Sequence, residues 1–308
     1  MPNLRIIYQN QVDLSTTTIT SSSNQTASTT VSNLRTDTKS LVWRTVPTTS
    51  SGTQVYGNLI VDLGSTKTVG GVVLAFTNLN SNTATIRVRG YATAPIHAGD
   101  LVNTPDVLGT SIYDTGNVQC CPWNSLSLPS WGTNPVNSSN YSYGGGTYAR
   151  VWFPSSSAIG VRYLSIQIID NYATSGVGRF IEVSRLIIGS YWSPKYNTSF
   201  GMTSGIKDLS EHIRTESGDL LTVRGPRYQS LSFDMNWLDT SDRIDMTKIL
   251  LGNGMSRPVL VSLFPDETTT SGFERERSHQ IYGKIVEVPG ISYIHPDIYS
   301  VALEIEEV

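Results

Sequence analysis

The sequence predicts an all-β protein in two parts, a β-sandwich over residues 1–190 and a small β-barrel or sandwich with one helix over 191–308. Three observations predict it. Apolar runs of strand length, rich in β-branched residues, recur along the chain and are punctuated by Gly, Pro, Asn and Ser. Charged residues make up only 15%, so long Glu/Lys-rich amphipathic helices are missing and hydroxyls and amides must hydrate the surface. At 308 residues the chain is too long for one small core and suits two domains.

The stretch Leu41–Tyr91 organises the first part. Leu59, Val61 and Leu63 face one way and Asp62 the other, with Gly64 expected to turn the chain. Gly70-Gly71 permits a bulge or a close approach before Val72-Val73-Leu74. Ile86 and Val88 alternate with Arg87 and Arg89, the period of a half-buried strand. Upstream, Leu4–Tyr8 is a short strand candidate, and the Ser/Thr tract 15–30 suits a linker or an exposed edge strand. Downstream, Tyr163, Ser165 and Gln167 alternate with Leu164, Ile166 and Ile168. The run FIEVSRLIIG from Phe180 alternates imperfectly, which suggests a bulge near Arg185.

In the second part, Gln229, Leu231, Phe233, Met235 and Trp237 share one parity and imply a strand with one buried face. A helix follows, capped by Asp239 or Thr240, with Ile244, Ile249, Leu250 and Leu251 as its apolar side and Gly252-Asn253-Gly254 as its stop. Strands are expected at Leu220–Arg224, Arg257–Phe264, Gln280–Glu287 and Tyr299–Ile305, the last with Val301, Leu303 and Ile305 inward. Residues 266–278 form a polar loop.

Two resemblances follow from these residues. A Trp-Arg after a polar loop, a VDLG strand end, a GVVL strand and RYLSIQI followed by IEVSRLIIG resemble the discoidin-type, galactose-binding-like jelly roll over about 32–190. That family binds sugars, lipids or proteins through loops at one end, and the aromatic insertion 115–147 departs from its pattern. SLSFDMNWLDTSDR, the helix ending LLGNG, RPVLVSLFP, QIYGKIVEV and the terminal YSVALEIEE resemble the distal tail, or baseplate hub, proteins of long-tailed non-contractile phages. This second resemblance covers Tyr191–Val308. It implies a ring-forming homo-oligomer in the virion, made in the host cytoplasm and partnered by tail tube and hub or fibre proteins.

Candidate sites are few. Trp123, Trp131, Tyr141 and Tyr143 within residues 115–147, with Tyr148 just after them, stand on an Asn/Ser/Gly background, the composition of adaptable binding loops. These rings either contact a glycan or partner, or pack within the chain or between subunits. Glu274, Arg275, Glu276 and Arg277 read as a solvated loop face, or as charges that set register between subunits. No catalytic constellation is expected, because no G-x-S-x-G elbow, P-loop or obvious carboxylate pair occurs. Asp62, the best-placed single acid, reads as a turn cap. No cofactor and no metal are expected, since two cysteines and four scattered histidines lack ligand spacing. Asp13, Asp37 and Asp62 around a structural calcium are the one alternative. Adjacent Cys120 and Cys121 would close a strained ring if joined, so free thiols are expected.

The net charge of −3 gives no footprint for nucleic acid. No apolar run is long enough to span a membrane, and MPNLRIIYQN is too short for a signal-peptide core. The function expected is structural, a ring in a phage tail tip. A carbohydrate-binding adhesion module is its alternative, with a glycosidase a weaker third.

Overall fold

The computed structural model describes residues 3–21, 28–47, 54–79, 84–97, 107–108, 110–120, 147–153, 159–171, 178–265, 275–276 and 278–308. Strand β1 (Arg5–Ile7) opens the chain, followed by β2 (Thr18–Ser21), β3 (Trp43–Arg44), the long β4 (Gln54–Val69), β5 (Gly71–Thr77) and β6 (Thr85–Tyr91). Short strands β7 (Ile96–His97), β8 (Val107–Leu108), β9 (Tyr113–Asp114) and β10 (Val118–Gln119) lead to β11 (Thr147–Trp152), β12 (Ile159–Asn171) and β13 (Glu182–Gly189). The second part holds β14 (Thr203–Asp208), β15 (Glu211–Arg214), β16 (Leu220–Val223) and β17 (Arg227–Leu238). Helix α1 (Thr240–Asn253), β18 (Val259–Ser262), β19 (Gln280–Ile285), β20 (Ser292–His295) and β21 (Ile298–Glu307) complete it.

These strands form three main antiparallel sheets. One runs β10-β6-β12-β4-β2 with β9 also on β6, one runs β11-β5-β13-β3, and one runs β1-β18-β19-β21-β17-β14 with β20 on β21. The first two enclose a core of Trp43, Leu59, Val61, Leu74, Val88, Ile166 and Ile188, among others. That is the expected sandwich, and its alternating strands point their apolar parity inward as read. The Ser/Thr tract supplies β2, an edge strand on β4.

The four-stranded sheet has a second covered face. Val73, Ala75 and Ile187 meet Ile7, Leu260 and Tyr282 of the seven-stranded sheet, whose far side packs Leu231, Phe233, Met235, Val301 and Leu303 against Met246 and Ile249 of α1. The layers therefore stack as sheet, sheet, sheet, helix. This burial explains the imperfect alternation of FIEVSRLIIG. Strand β13 stays in register with β5 and is buried at every position, so no bulge exists near Arg185; both faces simply need apolar groups.

Other expectations are corrected locally. Gly64, at φ +74°, does not end a strand; β4 runs on to Val69, and the register with β12 shifts at this point instead. Gly70-Gly71 is a close approach, since a Cβ on Gly71 would lie 2.7 Å from the Trp152 ring. Leu4–Tyr8 does not join the first sandwich. Strand β1 pairs with β18, and Leu4 and Ile6 enter the second core beside Trp192.

Trp237 does not share the buried face of β17. The ladder with β21 skips a residue between Met235 and Leu238, so Leu238 turns inward and Trp237 outward. Helix α1 is capped by the Asp239 carboxylate, which accepts from Asp242 N–H, and ends before Gly254 as read. Its buried side is Met246, Ile249 and Leu250, whereas Ile244 and Leu251 are exposed.

Candidate functional site

The strand registers bring sequence-remote segments to one rim of the sandwich. Gln54, at the start of β4, lies opposite Asn171 at the end of β12, and Gln119 of β10 opposite Thr85 at the start of β6. On the other sheet, Thr77 at the end of β5 faces both Thr147 of β11 and Val183 of β13, and Arg44 faces Glu182. The chain thus leaves this rim after Cys120 and re-enters it at Thr147.

The rim is polar and internally tied. Arg44 Nε donates to Glu182 Oε1 at 2.7 Å, and its guanidinium lies 4.4 Å from the Phe180 ring centroid. Glu182 N–H donates to Asn78 Oδ1 at 2.7 Å, while Asn78 Nδ2 donates to the Phe180 carbonyl at 2.8 Å. Gln54 Nε2 donates to Asn171 Oδ1 at 2.7 Å, and the Tyr56 hydroxyl donates to Gln54. Glu182 is buried, but Arg44, Gln54, Tyr56, Asn171 and Phe180 all keep solvent-facing surface. The rim thus carries two polar clusters, the amides and hydroxyl of Gln54, Tyr56 and Asn171 on the six-stranded sheet and the guanidinium and ring of Arg44 and Phe180 on the four-stranded one, which between them donate and accept hydrogen bonds.

The predicted site residues divide. Trp123, Trp131, Tyr141 and Tyr143 lie outside the described residues, as do Cys121, Glu274 and Arg277. Tyr148 is turned away from the rim into the seam between the four- and seven-stranded sheets. Its hydroxyl donates to Glu307 Oε1 at 3.3 Å and accepts from Tyr282 N–H at 3.2 Å, and its ring lies 5.5 Å from Phe76. Burial, then the Glu307 carboxylate, push this phenol well above its usual range.

Glu276 corrects the reading of a solvated loop face. It is 1% exposed and sits in the same seam, where Arg150 Nε donates to its Oε2 at 2.6 Å. Trp152 Nε1 and the Ser262 hydroxyl donate to Oε1 at 3.2 and 3.1 Å. Arg275, by contrast, lies with its guanidinium 4.6 Å from the Phe264 ring centroid.

A second seam cluster resolves the acid triplet. Asp13 and Asp37 do converge, but on a guanidinium: Arg185 Nη2 reaches Asp13 at 2.8 Å and Nε reaches Asp37 at 3.3 Å, with the Tyr282 hydroxyl donating to Asp37 at 2.8 Å. The arginine supplies the charge a cation would. Asp62 is elsewhere, accepting from Gly64 N–H at 2.8 Å, the turn-capping role expected of it, and from Arg162 Nε at 3.0 Å. The Arg162 hydrogen bond holds the Asp62 carboxyl below its usual range, so it is poorly suited to donate a proton. Among the described residues no three His, Cys, Asp or Glu side chains group as metal ligands, and Cys120 is buried.

Sequence reasoning used Trp43-Arg44 and Ile181-Glu182 as fold marks and missed them as a pair. The signal available was a lone charge in each apolar stretch, Arg44 closing Leu41–Trp43 and Glu182 inside Phe180–Val183.

No family model and no curated protein matches the sequence. Solved structures similar to part of it include the galactose complex of the family 32 carbohydrate-binding module of Clostridium perfringens NanJ, at 14% identity, 61% of this chain, 99% of that one and TM-score 0.33. Chitosan-binding module 1 from the chitosanase/glucanase of Paenibacillus sp. IK-5 is similar at 15% identity, 58% and 98% coverage and TM-score 0.33. A Ruminococcus gnavus GH29 fucosidase in complex with fucose is similar at 11% identity over 61% of this chain, with TM-score 0.33; the match spans 27% of the fucosidase.

Proposed function

We propose that this chain is a non-catalytic binding protein that holds carbohydrate at the rim of its N-terminal sandwich. The observation that carries the reading is the placement, at one end of two rigid sheets, of side chains that both donate and accept hydrogen bonds. Sugar hydroxyls need such groups in fixed directions, and strand ends hold them more firmly than free loops do. Gln54, Tyr56 and Asn171 would serve the hydroxyls. Trp123, Trp131, Tyr141 and Tyr143 belong to the segment that leaves and rejoins this rim, and their rings would stack on sugar faces.

A glycan array probed with the full chain tests this. Binding to host-surface polysaccharide is expected, with Trp131→Ala and Asn171→Ala each weakening it at least about tenfold, roughly 1.4 kcal/mol, while the melting temperature holds. A wild-type chain that binds no glycan on the array would sink the reading.

A second reading is favoured by the apolar side chains left exposed on the β15–β16 hairpin, Ile213, Leu221 and Val223. The chain would be a structural part of a phage tail tip, forming a ring that joins tail tube to hub or fibres. It would be made in the host cytoplasm and built into the virion. Mass spectrometry of purified particles, and tail assembly in a deletion strain, check it; a particle lacking the chain would remove this reading.

A further inference from the structure

The outer face of the six-stranded sheet buries polar groups where water would be expected. Strand β12 lies in the middle of that sheet, between β6 and β4. Leu164, Ile166 and Ile168 point into the sandwich core, so Ser165, Gln167 and Ile169 point away from it. Serine, glutamine and asparagine on such a face are mostly exposed. Here Ser165 is buried, Gln167 is only 4% exposed, and Asn58 on the adjacent strand is buried too. The register shows how. Gln167 lies opposite Arg87 on one side and Asn58 on the other, and Ser165 lies opposite Arg89 and Ile60. Arg87 and Arg89 along β6, and Tyr56 and Ile60 along β4, are half-buried and stand higher than the residues between them. Strand β12 is the floor of a trough.

The floor carries an unmet donor. Gln167 Nε2 has no hydrogen-bond partner among the described residues. Buried polar atoms in folded proteins nearly always have one, so this amide is set for an acceptor that the neighbouring side chains do not supply.

The trough is continuous with the rim. Asn171 lies opposite Gln54 and Ile169 opposite Tyr56, so the rim cluster of Gln54, Tyr56 and Asn171 stands on this same face. From Asn171 to Ser165 the floor runs about 20 Å along one strand. The next row holds Tyr163 and Asp62, where the Arg162 guanidinium pairs with Asp62 and lies 4.9 Å from the Tyr163 ring centroid.

The chemistry of the floor selects its occupant. A peptide strand cannot add to it, because both edges of β12 are already paired. What remains is side chains: amides and a hydroxyl, set beside the Tyr56 ring and the hydrocarbon of Ile60 and Ile169. Sugars match such a surface, with hydroxyls at their edges and C–H groups on their faces. One sugar held at Asn171 would leave Gln167, about 13 Å down the strand, without its acceptor. A chain reaches both. We infer that the ligand is a glycan chain of several units that enters at the rim and lies along β12, with an inner unit accepting a hydrogen bond from Gln167 Nε2. This rests on the carbohydrate reading above and names the form its ligand takes.

An array printed with gluco-, galacto-, rhamno- and N-acetylglucosamine oligomers, each from monosaccharide to hexasaccharide, tests it with the full chain. Titration calorimetry then follows the series that binds. The hexasaccharide is expected to bind at least about tenfold more tightly than the monosaccharide, and Gln167→Ala should collapse that ratio toward one. Nuclear magnetic resonance of the wild type reads the same contact with no substitution: the Gln167 side-chain amide should shift with the hexasaccharide and not with the monosaccharide. Equal affinity along the series, a length gain that survives Gln167→Ala, or a Gln167 amide that does not move would overturn the trough while leaving carbohydrate at the rim. No binding to any oligomer would remove both.

Discussion

Two regions of this molecule invert the usual placement of side chains. In the seam between the four- and seven-stranded sheets, Arg150, Arg185 and Glu276 are buried, each with an ionic partner. At the β15–β16 hairpin, leucine, isoleucine and valine stand in water. Charge buried with its partners costs desolvation and repays it only in one geometry, so such a seam tolerates a single arrangement of its layers. Hydrocarbon left exposed costs nothing in geometry and waits for a surface. The contrast teaches that the chain's own layers are locked, whereas the β15–β16 hairpin leaves apolar side chains uncovered.

The largest test breaks the seam. Glu276→Ala leaves the Arg150 guanidinium buried without its carboxylate, and the Trp152 indole N–H and the Ser262 hydroxyl without their acceptor. A loss of about 3–5 kcal/mol is expected from removing one partner of a buried pair. Urea unfolding measures it. Glu276→Gln, which keeps the acceptor oxygen, should lose clearly less. Equal losses would mean that packing rather than charge holds the seam.

Much of the sandwich was legible in the sequence because its outer sheet is half-buried. Ile86/Arg87/Val88/Arg89 and Leu164 through Ile168 alternate with the strand period, and the structure follows them. The inner sheet was harder to read, since burial on both faces erases that period and made β13 look bulged. Strand β1 was legible as a strand, but its place beside β18 was not, because that partner lies about 255 residues later, beyond any local pattern. The Glu276 site was hidden for the same reason: GFERERS reads as solvated until Arg150, 126 positions earlier, is brought beside it. At the rim, the fold marks Trp43-Arg44 and IEV were visible, but their pairing depended on register. Trp237 was misplaced by one skipped residue, which no period-2 count can foresee.

Adjacent residues at that skip sharpen the comparison on a smaller scale. Leu238 fills the second core and Trp237 faces water, although Trp237 is the larger and more apolar surface. Leu238→Ala should therefore cost about 2–4 kcal/mol through the lost transfer and the cavity. Trp237→Ala should change monomer stability by less than ~1 kcal/mol. Denaturant midpoints of the two variants check this. A larger loss from Trp237→Ala would place its side chain in the core.

The smallest effect comes from an exposed counterpart of the seam. Asp114 of β9 accepts from Arg87 Nε at 2.8 Å and from Gly116 N–H at 2.9 Å, and lies 3.3 Å from Arg89. The Arg87 hydrogen bond holds its carboxyl down to about 2, against about 3.9 for an unfolded aspartate. A folded value below the unfolded one stabilises above pH ~4, and that contribution fades as pH falls through about 2. Because the pair is solvent-exposed, it should contribute no more than about 1 kcal/mol. Thermal melts of the wild type and Asp114→Asn should differ slightly at pH 5 and converge as the solution is acidified toward pH 2. A gap that persists in acid, or one as large as that of Glu276→Ala, would erase the distinction between charge held inside the seam and charge laid on the surface.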